Sequence, residues 1–271
     1  MSYKFLMKKG CKGQEVKRMQ ASLDIDADGI FGSNTKKAVE AFQKAKGLSV
    51  DGIAGPDTLT LMGIPVHLGI DVSKWNGTVD WKKVGQDGVK FAFVKMTEGR
   101  TYVSSRKDEI DKARCAGLAV GAYHFGRPEN DAGPDDAIAE AHHFLENYEP
   151  GVNDMRPVID MEKGIQSDDS YNVRWALSFC DEVEKALGKR PIIYTAQWYT
   201  QGWFKNASKG LLQQLSEESL WWAEYSDQQT KKLDPWNEWL MWQFSGSGSV
   251  SGVTGDCDLN WCAGGRFGDL F

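Results

Sequence analysis

Hydrophobic residues recur at two different periods along the chain, and the change of period divides it in two. Over the first sixty-odd positions the spacing is helical: Val16, Met19, Gln20 and Leu23 fall on one side of a 3.6-residue repeat, and Ala38, Val39, Phe42 and Ala45 on another. Superposed on this is an internal repeat, because Asp28-Gly-Ile-Phe-Gly-Ser-Asn-Thr35 returns 23 residues later as Asp51-Gly-Ile-Ala-Gly-Pro-Asp-Thr58. Each copy reads as a glycine turn that starts a helix, with Ser33 or Asn34 as the capping residue in the first and Pro56 with Asp57 in the second. The pattern predicts three short helices around a core too small to hold a deep active site.

Beyond Gly63-Ile-Pro-Val66, a Gly and Pro junction without a long tether, the pattern shortens to β-rich runs. They are Leu68–Val72, Phe91–Met96, Val120–Phe125, Pro157–Met161, Pro191–Thr195, Leu220–Tyr225, Leu240–Phe244 and Asp258–Trp261, eight in all. Amphipathic stretches at Ser105–Cys115, Ala137–Asn147 and Tyr171–Leu187 separate the earlier runs, the alternation that builds a parallel sheet and, with eight strands, a closed β/α barrel. The later connections look too short for full helices. The expected fold class is therefore α/β: a TIM-like barrel over residues 66–271 behind a three-helix domain over 1–65, sitting close together.

Composition supports an ordinary globular protein, with 41% hydrophobic and 26% charged residues in 271. Charge is unevenly spread: Met1–Val66 carries ten Lys and Arg against seven Asp and Glu, leaving 22 against 31, so the head is +3 and the body −9. A basic head suits an anionic polymer, and an ordinary solvated surface accounts for it equally well. The five cysteines lack metal or framework spacing, which suggests a reducing compartment. Only Phe5-Leu6-Met7 runs apolar near the start, too short for a signal-peptide core, and no stretch reaches transmembrane length. Eleven Trp and eight Tyr suit stacking on sugar faces as well as core packing.

In a barrel of this kind reactive groups project from the carboxyl ends of strands, where four acids stand: Asp71, Asp160, Glu162 and Asp258. Asp160-Met-Glu162 places two carboxylates on one face, since residues i and i+2 of a strand point the same way. Like charges this close in an apolar strand raise one pKa and leave an acid beside a base, the equipment of glycoside cleavage. Pairing with Lys95 or Lys163 is the alternative, and the triplet leaves both open, as it does retaining and inverting geometry. Asp24, Asp26, Asp28 and Gly29 imitate the start of a calcium loop, but its twelfth position is Thr35 rather than Glu, so they read as turn formers.

The head motifs Gly10-x-x-Gly13-x-x-Val16, Met19-Gln20-x-x-Leu23, Ala41-Phe42-Gln43 and Gly47-Leu48-x-Val50-Asp51-Gly52 resemble the three-helix peptidoglycan-binding domain, over about residues 5 to 63. The body resembles glycoside hydrolase family 25, the Chalaropsis-type lysozymes, in Gly69-Ile-Asp-Val-Ser73, Phe93-Val-Lys-Met-Thr-Glu-Gly99, Gly121-Ala-Tyr-His-Phe125, Asp160-Met-Glu162, Ile193-Tyr-Thr195, Leu220-Trp-Trp-Ala-Glu-Tyr225, Trp242-Gln243 and Asp258-Leu-Asn260. That resemblance implies an irregular β/α barrel and cleavage of the β-1,4 bond between N-acetylmuramic acid and N-acetylglucosamine, with no metal or organic cofactor. By position Glu162 matches the proton donor and Asp160 the partner carboxylate that steadies charge at the anomeric centre or orients the acetamido group. Asp71 and Asp258 match flanking acids, and Lys95, Tyr123, Tyr194, Trp221 and Gln243 match groove positions, while His124 reads as structural. Cys257 and Cys262 match nothing in the family and read as packing residues.

A chitinase-like acid run would need aspartates where Met155 and Val158 stand, and a zinc amidase would need a His and acid set that four His without HExxH do not supply. The expected partner is bacterial peptidoglycan, without nucleic acid or membrane insertion, and the expected state a monomer. A lytic enzyme with no signal-like segment fits a phage endolysin held in the host cytoplasm until release; a bacterial autolysin and an inactive wall-binding protein are the alternatives.

Overall fold

A computed structural model of the chain describes residues 5–130, 133, 135–165, 168–226, 231–262 and 265–271. The head holds the three expected helices, α1 Gln14–Ser22, α2 Ser33–Ala45 and α3 Pro56–Leu61. Its sequence repeat is a repeat of hydrogen bonds centred on two buried glutamines. Gln20 Nε2 donates to Asp28 Oδ1 at 2.8 Å, to the Ile30 carbonyl at 3.2 Å and to Thr35 Oγ1 at 3.1 Å, while its Oε1 accepts from Gly29 N at 2.8 Å. Gln43 does the same with Asp51, Ile53, Thr58 and Gly52 at 2.8, 3.0, 3.4 and 3.0 Å. Gly29 and Gly52 take φ of +76° and +70°, the left-handed region that makes glycine obligatory at this turn.

Two local expectations are corrected. The residues before α2 and α3 are Gly32 and Gly55, neither helix has a side-chain cap, and Ser33 is already the first helical residue; Pro56 occupies the first turn as expected. The inner face of α2 is Thr35, Val39 and Gln43 rather than a purely apolar stripe, and Ala45 is exposed. The polar positions are tolerated because every donor and acceptor of the glutamine amides is used. Asp28, from the calcium-like run, accepts from Ile30 N at 2.7 Å and acts as a turn former.

The body is a closed barrel with strands β1 His67–Val72, β2 Phe91–Glu98, β4 Ala119–Phe125, β5 Val158–Asp160, β6 Ile192–Ala196, β7 Leu220–Ala223, β8 Met241–Gly248 and β9 Cys257–Cys262; a short β3, Tyr102–Val103, hangs outside on β2. Neighbours from β1 through β2 and β4 to β8 run parallel, whereas β9 is antiparallel to both β8 and β1 and completes the closure. The parallel alternation read from the sequence thus holds through β8, and the antiparallel β9 makes the barrel irregular, as the family resemblance implied. Helices α4 Trp81–Gln86, α5 Glu109–Cys115, α6 Asp136–Asn147 and α7 Asp169–Leu187 cover the outside. The connection after β6 also holds helices, α8 Gln197–Tyr199, which continues into a π turn over Thr200–Phe204, and α9 Lys209–Glu217, contrary to the expectation for later connections.

Alternation sorts the strands into an outer apolar shell and a smaller inner cluster. Phe91, Phe93, Met155, Ile192, Trp221, Leu240, Met241 and Cys262 fill the interior. Packing there is tight: a Cβ on Gly69 would lie 2.2 Å from the Phe91 ring. This plug closes the barrel below the carboxyl ends of the strands and so forms the dry floor on which the polar groups of the mouth rest.

The head packs directly on the barrel wall near β8 and β9. The Phe5 ring meets Trp242 and Trp261 edge-on at 6.3 and 5.9 Å, and Arg18 pairs with Glu15 and with Glu238 at 2.6 Å, the latter also held by Arg266 at 2.8 Å. Burial pushes Glu15 up to about 7 against the pull of Arg18. Among the described residues no helix is long and apolar enough to cross a membrane, and all five cysteines are free thiols.

Candidate active site

One cleft of about 220 Å³ opens at the carboxyl ends of the strands, and all nine residues singled out from the sequence line it: Asp71, Lys95, Tyr123, Asp160, Glu162, Tyr194, Trp221, Gln243 and Asp258. Ser73, Trp75, Phe125, Val158 and Tyr225 complete the wall. The strand β5 ends at Asp160, one residue before the run read from sequence, yet Met161 stays tied to β6. Its N–H donates to the Tyr194 carbonyl at 2.9 Å and its carbonyl accepts from Thr195 Oγ1 at 3.0 Å, which holds the chain extended and brings Glu162 to the same mouth as Asp160.

The lysine-pairing alternative is not what the fold adopts. Lys95 donates to Glu98 at 2.6 Å, Glu98 is held in turn by Arg127 at 2.8 Å, and Asp160 Oδ1 is buried with no hydrogen-bond partner. Burial, and then the charge of Glu162, push Asp160 well above the usual carboxylate range, with Lys95 opposing. Burial raises Glu162 too, while a hydrogen bond with Tyr194 and the charge of Lys163 pull it down. The two carboxyls therefore retain a proton at a pH where exposed acids have lost theirs.

Across the cleft, Asp71 on β1 stands opposite Asp258 on β9 in the strand register and hydrogen-bonds to it. Asp71 Oδ2 accepts from Gln243 Nε2 at 2.9 Å and from Asn260 Nδ2 at 2.8 Å. Burial raises Asp71, and these donors oppose it; burial and then the Asp71 charge push Asp258 up to about 8. Two carboxyls so placed can share one proton, and the amide donors favour charge on Asp71. Tyr123 lies beneath, its phenol raised first by burial and then by the surrounding acids.

Trp221 and Gln243 are buried, and their polar atoms are spent inside the wall: Trp221 Nε1 donates to Asn260 Oδ1 at 2.9 Å, and Gln243 Oε1 accepts from Tyr194 at 2.8 Å and Tyr225 at 3.2 Å. The rim is aromatic and basic. Trp75 is 84% exposed, and Lys74 lies between the Trp75 and Tyr102 rings at 4.9 and 5.0 Å. A large, exposed aromatic beside a polar cleft offers a face on which a sugar ring can stack. His124 points out of the barrel, where Nδ1 meets Thr97 at 2.8 Å and Nε2 meets Glu140 at 2.8 Å; burial lowers it to about 3, and its role is structural. Cys257 and Cys262 are buried beside the last strand's polar residues.

Sequence reasoning passed over Trp75, and it quoted Tyr225 and Asn260 within motifs without giving either a place in the site. Asn260 carried a usable signal, because it lies two residues after Asp258 and shares its face. Trp75 lies three residues beyond the end of the acid-bearing strand β1.

Comparison with known proteins agrees with this architecture. The family model for glycosyl hydrolases family 25 matches residues 70–253, and that for a putative peptidoglycan binding domain matches 12–62. Lysozyme M1 of Streptomyces globisporus is 30% identical over 219 residues, covering 76% of this chain and 72% of that protein. The autolytic lysozyme of Clostridium acetobutylicum is 35% identical over 197 residues, 71% of this chain and 54% of its own length. In structure, the CTP1L endolysin superposes with a TM-score of 0.60 at 26% identity, over 72% of this chain and 66% of that one.

Proposed function

The chain belongs to the glycosyl hydrolases of family 25 and is a peptidoglycan hydrolase of the lysozyme kind; from that premise we propose that Glu162 protonates the β-1,4 bond between N-acetylmuramic acid and N-acetylglucosamine. The observation that carries the reading is the gathering of four raised carboxyls in one cleft, with Asp160 Oδ1 unpartnered on a dry floor. A buried acid without a partner is costly to the fold and is worth keeping only where positive charge develops beside it.

In this reading the departing N-acetylglucosamine oxygen takes the proton of Glu162 as the bond to the anomeric carbon breaks; a water then supplies the hydroxyl that completes that carbon, and its remaining proton returns to the carboxyl pair. Glu162 carries the proton that the two carboxyls hold, so Asp160 is the carboxylate, and it steadies the substrate's growing positive charge or orients the acetamido group. Tyr194 has one hydroxyl proton. While Glu162 is protonated, Tyr194 donates to Gln243 and its oxygen can accept from Glu162; once Glu162 is a carboxylate, Tyr194 can turn to it and leave Gln243 to Tyr225. Trp75 stacks on a sugar ring at the rim, and Lys95, Tyr123, Trp221 and Gln243 shape the wall.

The head binds the wall and raises local enzyme concentration there. A phage endolysin that lyses the host after cytoplasmic storage is the biological role proposed, supported by the endolysin likeness; the autolytic relative favours a bacterial autolysin as the second reading. The chain acts as a monomer on peptidoglycan.

The test is reducing-end release from purified peptidoglycan, with mass analysis of the fragments, for the native chain beside Glu162→Gln. Fragments ending in reducing N-acetylmuramic acid, formed only by the native chain, are expected. Reducing N-acetylglucosamine, free peptide, or binding without product would each overturn the assignment.

A further inference from the structure

Two side-chain amides converge on one oxygen, Asp71 Oδ2, and each has its carbonyl end already occupied. Asn260 is the better fixed of the two. Its Nδ2 donates to Asp71 at 2.8 Å and its Oδ1 accepts from the Trp221 indole at 2.9 Å, all three side chains being buried. An indole N–H only donates, so turning the amide over would set N–H against N–H and carbonyl against carboxylate. Gln243 is held less strictly, because the Tyr194 and Tyr225 hydroxyls facing its Oε1 can also accept.

Asp71 and Asp258 stand opposite each other on β1 and β9, line the same cleft and are hydrogen-bonded, and two carboxyls so placed can hold one proton between them. We infer that Asn260, locked by Trp221, is a positioning residue that sets the order of this pair: Asp71 carries the charge, and Asp258 keeps the proton and donates it to Asp71. The placement of Asp258 at about 8 agrees with that order. Other titratable groups face Asp71 around the mouth: Lys95 on β2, Tyr123 on β4, Asp160 and Glu162 at the end of β5, Tyr194 on β6 and Tyr225 after β7, while Cys257 is buried on the outer face of β9. None of these is a donor fixed in one sense as Asn260 is.

The consequence reaches the proposed acid. A fixed charge on Asp71 raises both Glu162 and Asp160, and so helps hold the proton that the reaction needs. Neutral Asp71 would release Glu162's proton at lower pH. The inference rests on the assignment of Glu162 as acid, and the experiment separates the two.

The pH dependence of kcat/KM on purified peptidoglycan is measured for the native chain, Asn260→Leu and Trp221→Phe. Loss of one donor to a carboxylate should raise the acid limb for Asn260→Leu by about one pH unit and lower the alkaline limb, narrowing the profile. Trp221→Phe keeps an aromatic ring and removes only the donor behind Asn260, so it should narrow the profile in the same sense and by less. If Asn260→Leu does not fold, Trp221→Phe carries the test. Limbs unmoved in a folded variant, whether the rate is kept or lost uniformly, would overturn the inference and leave a packing role. Carbon-13 titration of the aspartate carboxyls, with Asp71→Asn for assignment, reads the pair without turnover: Asp71 should titrate below Asp258 in the native chain and higher in both variants, and the reverse order refutes the lock. A native chain that releases no reducing ends defeats the muramidase reading alone.

Discussion

The head and the barrel mouth both rest on buried side-chain amides, and they use them to opposite ends. Gln20 and Gln43 each tie one turn to one helix, and the aspartates they bind lie at the surface. Asp28 is held below the ordinary range by its hydrogen bonds to Gln20 and Ile30, and Asp51 by those to Ile53 and Gln43. Gln243 and Asn260 also bind an aspartate, yet Asp71 sits on a floor of aromatic rings among three other acids, and burial raises it despite two amide donors. The same bond to the same kind of group thus favours folding where water is near and only moderates a cost where water is excluded. That cost is the signature of a site kept for chemistry.

Four experiments would sharpen or break this contrast. The largest effect is expected at Glu162→Gln, where turnover should fall about 10²- to 10⁴-fold while the melting temperature stays level or rises; an equal loss of fold would mean the residue is structural. Next is Gln43→Leu, which strands Asp51, Ile53, Thr58 and Gly52 at once. It should destabilise the head by about 1–3 kcal/mol, seen as faster hydrogen exchange over residues 51–58, with turnover of soluble fragments unchanged.

The third concerns pH, and the two regions should respond with opposite sign. Asp28 and Asp51 are depressed in the folded state, so their contribution is present above the unfolded carboxylate pKa and is lost as pH falls through their folded values. Asp258 is raised, so the folded state favours its proton, and stability is lost as pH climbs from near 4 through about 8. Asp258→Asn should therefore raise the melting temperature by about 2–4 °C above pH 8 and by nothing near pH 4. A gain independent of pH would contradict the assignment of burial as its cause. The smallest effect is expected at Trp75→Ala, a rise in KM of about threefold from lost stacking, with kcat kept. No change in KM would remove Trp75 from the sugar site.

Much of this was legible along the chain. The helical period, the repeat of Asp-Gly-Ile with Thr and the eight β-rich runs found the elements, because each depends on residues within a few positions of one another. Alternation put Asp160 and Glu162 on one face, and the same rule applied to Asp258 would have found Asn260. Local spacing did not reveal that α2 begins at Ser33 after an uncapped glycine, that the last strand runs antiparallel, or that a helix follows β6. Those outcomes depend on how the ends pack and how the barrel closes.

The sequence by itself therefore determined the elements, the family motifs and which carboxylates could share a mouth, since these follow from periodicity along the backbone. Only the tertiary structure decided what the acids do to one another. Asp71 meets Gln243 across 172 positions and Asn260 across 189. Lys95 turns to Glu98 and leaves Asp160 unpartnered. Charge, burial and hydrogen bonding act through space at a few ångströms, and those distances exist only once the barrel has closed.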